Sequence, residues 1–229
     1  MRTKVSCFSL VVALAVAGSA LGLSARSCEV IPQSLAKKML AGVKQHHIGT
    51  LVGSRPSTLS AFVLGAAPWF EKNNQDDGDY ESCGEIGVAK DGTYAMVWVT
   101  EHAHTRCAVI SDELPPGFRA TGITMHVHPY GRSVILNKND VILSDMSMDE
   151  VGAVFRLQPR HTTTFSNEDY ASGPGFLATR SGAIFQNGSA STVCTVSGKA
   201  IKVNLIANGQ PLPALASGGY ILSGVSCSP

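Results

Sequence analysis

The feature that most constrains this chain is the apolar run at residues 120–127, preceded by the turn signal Pro115-Pro116-Gly117 and closed by Pro129, with His126 and His128 at its end. Such a run reads as a buried β-strand, and the segments around it supply a sheet. Residues 85–89 and 93–100 flank Lys90-Asp91-Gly92 as an antiparallel hairpin, and 176–179 and 183–186 flank Arg180-Ser181-Gly182 as another. Residues 106–111, 192–206 and 219–225 are further extended segments, with Asn208-Gly209-Gln210-Pro211 as a turn. Two stretches have helical spacing. One is 35–43 with Ser34 as its N-cap, and the other is 57–70, starting at Ser57 or Thr58 and ending at the Pro68-Trp69 break, with 71–80 an exposed loop. The fold class is mixed α/β (α+β), with a central sheet flanked by helices.

A chain of 229 residues, 44% hydrophobic and 15% charged, is long enough for one well-buried domain with at most a small appendage. Its start reads differently. Arg2 and Lys4 precede an apolar stretch at 8–16 and the small residues Gly18-Ser19-Ala20, the pattern of a secretory signal cleaved near Ala20 or as late as Ala25. An uncleaved anchor is the alternative. The expected division is therefore a signal at 1–20, a helical lead-in at 21–56, the main domain at 57–190 and a C-terminal β extension at 191–229.

Removal of Arg2 and Lys4 turns 18 basic against 17 acidic residues into 16 against 17. That balance gives no electrostatic case for nucleic acid or anionic lipid as a partner, and no later stretch is long enough to span a membrane. A secreted chain is periplasmic or extracellular. There Cys28, Cys83, Cys107, Cys194 and Cys227 are disulfide candidates rather than metal thiolates, since no Cys-x-x-Cys pair occurs. Cys194 with Cys227 would staple the C-terminal region, and Cys83 with Cys107 would join neighbouring strands.

Histidines at i and i+2 on a strand share a face, so one divalent metal can take both imidazoles. Asp169 offers a third ligand from the first turn of a following helix, whose start is marked by Ser166-Asn167-Glu168-Asp169. Ser166 lies on the same side of that helix, placed to hydrogen-bond a developing oxyanion. Glu81, in Glu81-Ser82-Cys83-Gly84, is the carboxylate for proton transfer, with Glu85 its competitor on the same strand face. The plain alternatives are a solvated histidine pair and an ordinary helix cap.

Taken in order, Glu81 before Gly84, His126-Val127-His128-Pro129 and Ser166-Asn167-Glu168-Asp169 resemble the JAMM motif of the JAB/MPN metallopeptidases. The strand 176–179 followed by Ser181-Gly182 also resembles that family's secreted and toxin-associated bacterial members, and the likeness covers roughly 59–186. It implies a cytidine-deaminase-like fold with a curved sheet. It implies Zn²⁺ on His126, His128 and Asp169, Glu81 as acid/base, and hydrolysis of a peptide or isopeptide amide. Peptidoglycan stem peptides or a delivered protein are candidate substrates. One departure is the interval of 38 positions between His128 and Ser166 (166 − 128), which makes 129–164 an insertion such as a lid; Asp140 and Asp145 are nearer but have no Ser three residues before them.

Two other functions fit the pattern: a non-catalytic binding or inhibitor module of the same fold, and a cupin-like metal oxidase, which wants a Glu where Arg132 stands. Glu101-His102-Ala103-His104 is a second His-x-His without a following Pro, read as a surface group or a support for the site. His46, His47 and His161 are expected at the surface, with His161, in the insertion, also placed to reach the site; Tyr130 and Arg132, just past the His-x-His-Pro, are expected at the surface, with substrate contact as the alternative.

Overall fold

The computed structural model describes residues 4–8, 27–31, 42–109, 114–158, 160–215 and 223–228. The chain divides into a unit over Met1–Ala41 and a larger one over Gly42–Pro229. In the first, β1 (Lys4–Phe8) pairs antiparallel with β2 (Ser27–Ile31). Residues 9–20 of the expected signal, its later cleavage limit at Ala25, and residues 35–41 of the expected helix lie outside the described residues; Gly42 is a turn and Val43 is irregular.

The larger unit is built on a nine-stranded sheet. Its strands are β3 (His46–Gly53), β4 (Ser82–Ala89), β5 (Tyr94–Thr100), β6 (Phe118–Val127), β9 (Gly175–Thr179), β10 (Gly182–Gln186), β11 (Cys194–Val196), β12 (Val203–Ile206) and β13 (Cys227–Ser228), and their order across the sheet is β12-β3-β5-β4-β6-β9-β10-β11-β13. Neighbouring strands of this sheet pair antiparallel throughout, except β6 with β9, which are parallel. Both expected hairpins form, the first closed by a turn in which Gly92 has φ +87° and Ala89 N–H donates to Thr93 O at 2.8 Å. The lead-in expected to be helical instead contributes β3, which lies between β12 and β5. The strand expected at 106–111 is irregular over 106–109, and residues 110 and 111 lie outside the described residues. Of the extension expected to be β, residues 223–225 are likewise irregular.

One helix fills one face of this sheet. Helix α1 (Leu59–Asp76) is capped by Thr58, whose side chain accepts from Ala61 N–H, and it buries Phe62, Ala66, Phe70 and Asn74 at steps of four residues. That spacing puts all four on one stripe. It also explains why the helix runs through Pro68 instead of stopping there. The proline removes one backbone donor, whereas ending the helix at 68 would expose Phe70, whose burial alone contributes about 1.5–3 kcal/mol. The loop expected from 71 therefore begins only after Asp76. Ile86, Met96, Trp98, Met125, Val127, Phe176 and Ala178, from the four strands β4, β5, β6 and β9, share one buried core with this helix.

A parallel pair needs a crossover of a dozen or more residues, and here the crossover from β6 to β9 runs through residues 129–164. It contains a two-stranded ribbon, β7 (Ser133–Ile135) with β8 (Val154–Arg156), and the short helices α2 (Lys138–Leu143) and α3 (Asn167–Ala171). Val134, Leu136 and Val141 form a small core of its own. Two cysteine pairs lie at disulfide distance, Cys83–Cys107 with Cα atoms 5.8 Å apart and Cys194–Cys227 at 5.6 Å. The second joins β11 to β13. The first joins β4 to the irregular segment after β5, not two strands. Such pairs are compatible with an oxidising compartment, and among the described residues no helix is long and apolar enough to cross a membrane.

Candidate metal centre

Met125 and Val127 of β6 point into the core under α1, so His126 and the following His128 face the other side of the sheet. Strand register continues the row, with His126 across from Cys83 on β4 and Leu177 on β9. The crossover returns over this face and sets Asp169 beside the two imidazoles. His126 Nε2 and His128 Nε2 are 3.1 Å apart, His126 Nε2 is 3.2 Å from Asp169 Oδ1, and His128 Nε2 is 3.4 Å from Asp169 Oδ2. Ligand atoms around one tetrahedral zinc at about 2.0–2.1 Å bonds stand about 3.3 Å from one another. The three groups therefore have the chemistry and the spacing of one metal ion's ligands, and they form one of the two groups among the described residues able to hold one. The other, Cys83, Glu101 and Cys107, has both thiols in a disulfide.

The ring of His128 is fixed from behind. Its Nδ1–H donates to the carbonyl of His161 at 2.6 Å, and His161 Nε2–H donates to Pro129 O at 2.5 Å. A donor at Nδ1 leaves the Nε2 lone pair for a metal. His161, expected at the surface or within reach of the site, serves the site through its backbone oxygen. No residue type marks such a role in a sequence, because every residue has a carbonyl.

Ser166 is the N-cap of α3. Its Oγ accepts from Asp169 N–H at 3.1 Å while Asp169 Oδ2 accepts from Ser166 N–H at 2.7 Å, a reciprocal capping box. The box holds the carboxylate toward the histidines. Burial pushes the Asp169 carboxyl upward, but hydrogen bonds and charge from His126 and His128 outweigh it and hold the group well below the ordinary carboxylate range.

Glu81 immediately precedes β4, and continuing the register by one pair places it across from His128. Its backbone is anchored twice, by N–H to Ala103 O at 2.8 Å and by Thr100 Oγ1 donating to its carbonyl at 2.7 Å. Burial pushes its carboxyl up to about 8; His128 and Arg106 oppose the rise, and Asp169 and Asp140 add to it. Glu85 pairs with Thr124 farther along the strand, so Glu81 is the carboxyl that sits at the triad.

The second His-x-His lies beside the site as a support, with His102 partly exposed and His104 buried. Glu101 is wholly buried, accepting from Gln45 Nε2 at 2.6 Å and Ala108 N–H at 3.2 Å, and its carbonyl takes Asn139 Nδ2 at 2.6 Å. His104 is bound to Asp140, with Nδ1 2.9 Å from Oδ2. His102 stacks on His46 at 4.3 Å between ring centres and lies 3.3 Å from Asp77. Segment 101–105 thereby ties the insertion to Glu81. Asp140, the nearer alternative ligand, has its oxygens occupied by these contacts. Comparison with protein-family models, with curated proteins and with solved structures finds no match to this chain.

Proposed function

We propose that this protein is a secreted zinc metallopeptidase of the JAB/MPN type, hydrolysing a peptide or isopeptide amide. The observation that carries the reading is the triad of His126, His128 and Asp169 at 3.1–3.4 Å with the buried Glu81 carboxyl beside it. A zinc ion held by the three would acidify a water and polarise the scissile carbonyl.

The chain's own residues supply the rest. Glu81, which a dication held by the three residues would draw toward its ionised form, would accept a proton from the attacking water and return it to the leaving amine nitrogen. His128 keeps its imidazole in one tautomer through His161. Ser166 uses one lone pair on Asp169 N–H, which leaves its hydroxyl hydrogen to donate to a developing oxyanion. The disulfide pairs support secretion, and peptidoglycan stem peptides fit an envelope location.

Metal analysis of the purified protein tests the centre. About one zinc per chain is expected, lost in His126→Ala and Asp169→Ala; full retention in either variant sinks the ligand assignment. Glu81→Gln should keep zinc and slow hydrolysis of synthetic stem peptides by ~10²–10⁴. Unchanged turnover there removes Glu81 from the chemistry.

A further inference from the structure

The two cysteine pairs at disulfide distance stand in different chemical surroundings. Cys194 is partly exposed and Cys227 exposed, and among the described residues no carboxylate, imidazole or further thiol lies within 4.8 Å of both their sulfurs. Cys83 is only 2% exposed, on β4 between Val99 of β5 and His126 of β6. Its partner Cys107 is partly exposed and sits in the irregular segment after β5. A third group joins them, since a carboxylate oxygen of Glu101 lies within 4.8 Å of both sulfurs. The C-terminal bridge thus has the greater access to solvent, and the Cys83–Cys107 bridge has an acid.

That acid is fixed by the fold. Glu101 Oε1 accepts from Gln45 Nε2 at 2.6 Å and Oε2 from Ala108 N–H at 3.2 Å. Ala108 follows Cys107 in the chain, so the second bond sets the carboxyl beside the bridge. Among the described residues no cation is within ion-pair distance of it, and a buried carboxylate without a cation is costly. Burial, against the hydrogen bonds from Gln45 and Ala108, raises the Glu101 carboxyl above its ordinary value and favours the protonated form. It therefore carries a hydrogen that it can give. Cys107 Sγ lies 3.6 Å from Val99 O, so this sulfur, as a thiol, has an acceptor in place.

Opening a disulfide requires one sulfur to leave as a thiolate, and the rate rises with the stability of that leaving group. At Cys83 a bare thiolate would stand buried and unpaired, at a high cost; a proton delivered as the bond breaks removes the charge. We infer that Cys83–Cys107 is a site of thiol–disulfide exchange with a dithiol, Cys107 being the sulfur attacked, Cys83 the leaving group and Glu101 its proton donor. One thiolate of the dithiol attacks Cys107 Sγ, the electron pair of the S–S bond leaves on Cys83 Sγ, and the Glu101 hydrogen passes to that sulfur directly or through one water. The second sulfur of the dithiol then displaces Cys107 from the mixed disulfide. Of the two protons shed by the dithiol, one restores Glu101 and the other goes to Cys107. Two electrons have moved, leaving a cyclic disulfide and two protein thiols. Neither step uses His126, His128 or Asp169, so exchange here stands apart from the peptidase reading.

Timed reduction of the full chain as purified, with dithiothreitol at neutral pH, tests it. Thiols are trapped by alkylation and assigned by peptide mass, and Cys194–Cys227 serves as the internal reference. Accessibility alone would open the reference first. With Glu101 as the acid the order reverses, and Cys83–Cys107 should open about tenfold faster than the reference. Glu101→Gln keeps the side chain's length and one acceptor but carries no acidic hydrogen. It should slow the opening of Cys83–Cys107 by about tenfold or more and leave the reference unchanged. The sign separates chemistry from packing, because a merely loosened segment 101–109 would open faster. The wild-type order needs no substitution, so it decides even where Glu101→Gln fails to fold. The reference opening first in the wild type, or Cys83–Cys107 opening in Glu101→Gln at the wild-type rate or faster, would overturn the inference.

Discussion

Two short helices in the crossover begin with the same device and put it to different ends. In α3, Ser166 caps and Asp169 answers; in α2, Asn137 caps and Asp140 answers, with Asp140 N–H donating to Asn137 Oδ1 at 3.0 Å and Asn137 N–H to Asp140 Oδ2 at 2.8 Å. Beyond its cap, Asp140 is wholly buried and takes donors from His104 N–H, His104 Nδ1, Thr105 N–H and Thr105 Oγ1. Asp169, partly exposed, faces two imidazole nitrogens that can equally serve a metal. A His-Asp juxtaposition is thus either a closed structural knot or a ligand set. What decides is the number of backbone donors that already occupy the carboxylate.

The sharpest way to break this contrast is to remove each carboxylate. Asp140→Ala leaves four donor groups of His104 and Thr105 unanswered in a buried site and should cost about 3–5 kcal/mol, read as a shift in the urea midpoint, with zinc still bound by the folded fraction. Asp169→Ala should cost only about 1–2 kcal/mol in metal-free protein, while zinc affinity falls beyond the ~10–100-fold typical of outer-shell changes. Equal destabilisation by the two substitutions would erase the distinction.

Acidity gives a second contrast. Glu81 is raised from its ordinary 4.5 to about 8, so the folded state binds more protons than the unfolded one between those values. Its contribution is fully present below about pH 4.5 and is lost as pH rises through 8. Asp140 and Asp169 are both held low. Their contributions are present above the ordinary carboxylate range and lost only in acid, so neither changes between pH 5 and 8. Glu101, raised chiefly by burial, adds to the Glu81 trend, so the informative quantity is the difference between wild type and Glu81→Gln. From pH 5 to 8 wild-type stability should fall relative to Glu81→Gln by on the order of 3 kcal/mol. Saturating zinc should shrink that difference, because a cation beside Glu81 lowers its pKa. A flat difference would mean Glu81 is solvated.

These contrasts also mark what was legible before the structure. The hairpins around Gly92 and Arg180, and the two histidines on one face of β6, are written in local signals: period-two alternation and turn residues. Asp169 can be matched to them from motif order, but its approach depends on a crossover whose path no local pattern specifies. Asn137-Lys138-Asn139-Asp140 and Ser166-Asn167-Glu168-Asp169 are nearly equivalent as strings, and only the tertiary donors around Asp140 separate them. Pro68 misleads for a related reason, since the stripe of Phe62, Ala66, Phe70 and Asn74 gains its weight from the sheet it packs on. The strand β3 and the anchoring role of Glu101 depend on partners distant in the chain, β12 and β5 for the one and Gln45 and Asn139 for the other.

The smallest effect separates cap from ligand support within one residue. Ser166→Ala and Asn137→Ala each delete an N-cap side chain, and each should cost about 1 kcal/mol in thermal or urea unfolding. Their consequences for metal diverge. Without its Oγ, Ser166 no longer binds Asp169 N–H, and the carboxylate loses the rigid first turn that aims it at His126 and His128; zinc affinity should drop by about tenfold. Asn137→Ala perturbs a carboxylate that four other donor groups still hold, so zinc affinity should stay within about twofold of wild type. Competition with a calibrated chelator measures both. Should Ser166→Ala lose stability yet bind zinc as wild type does, the capping box would be a helix terminator alone, and Asp169 would be aimed by the insertion rather than by its own first turn.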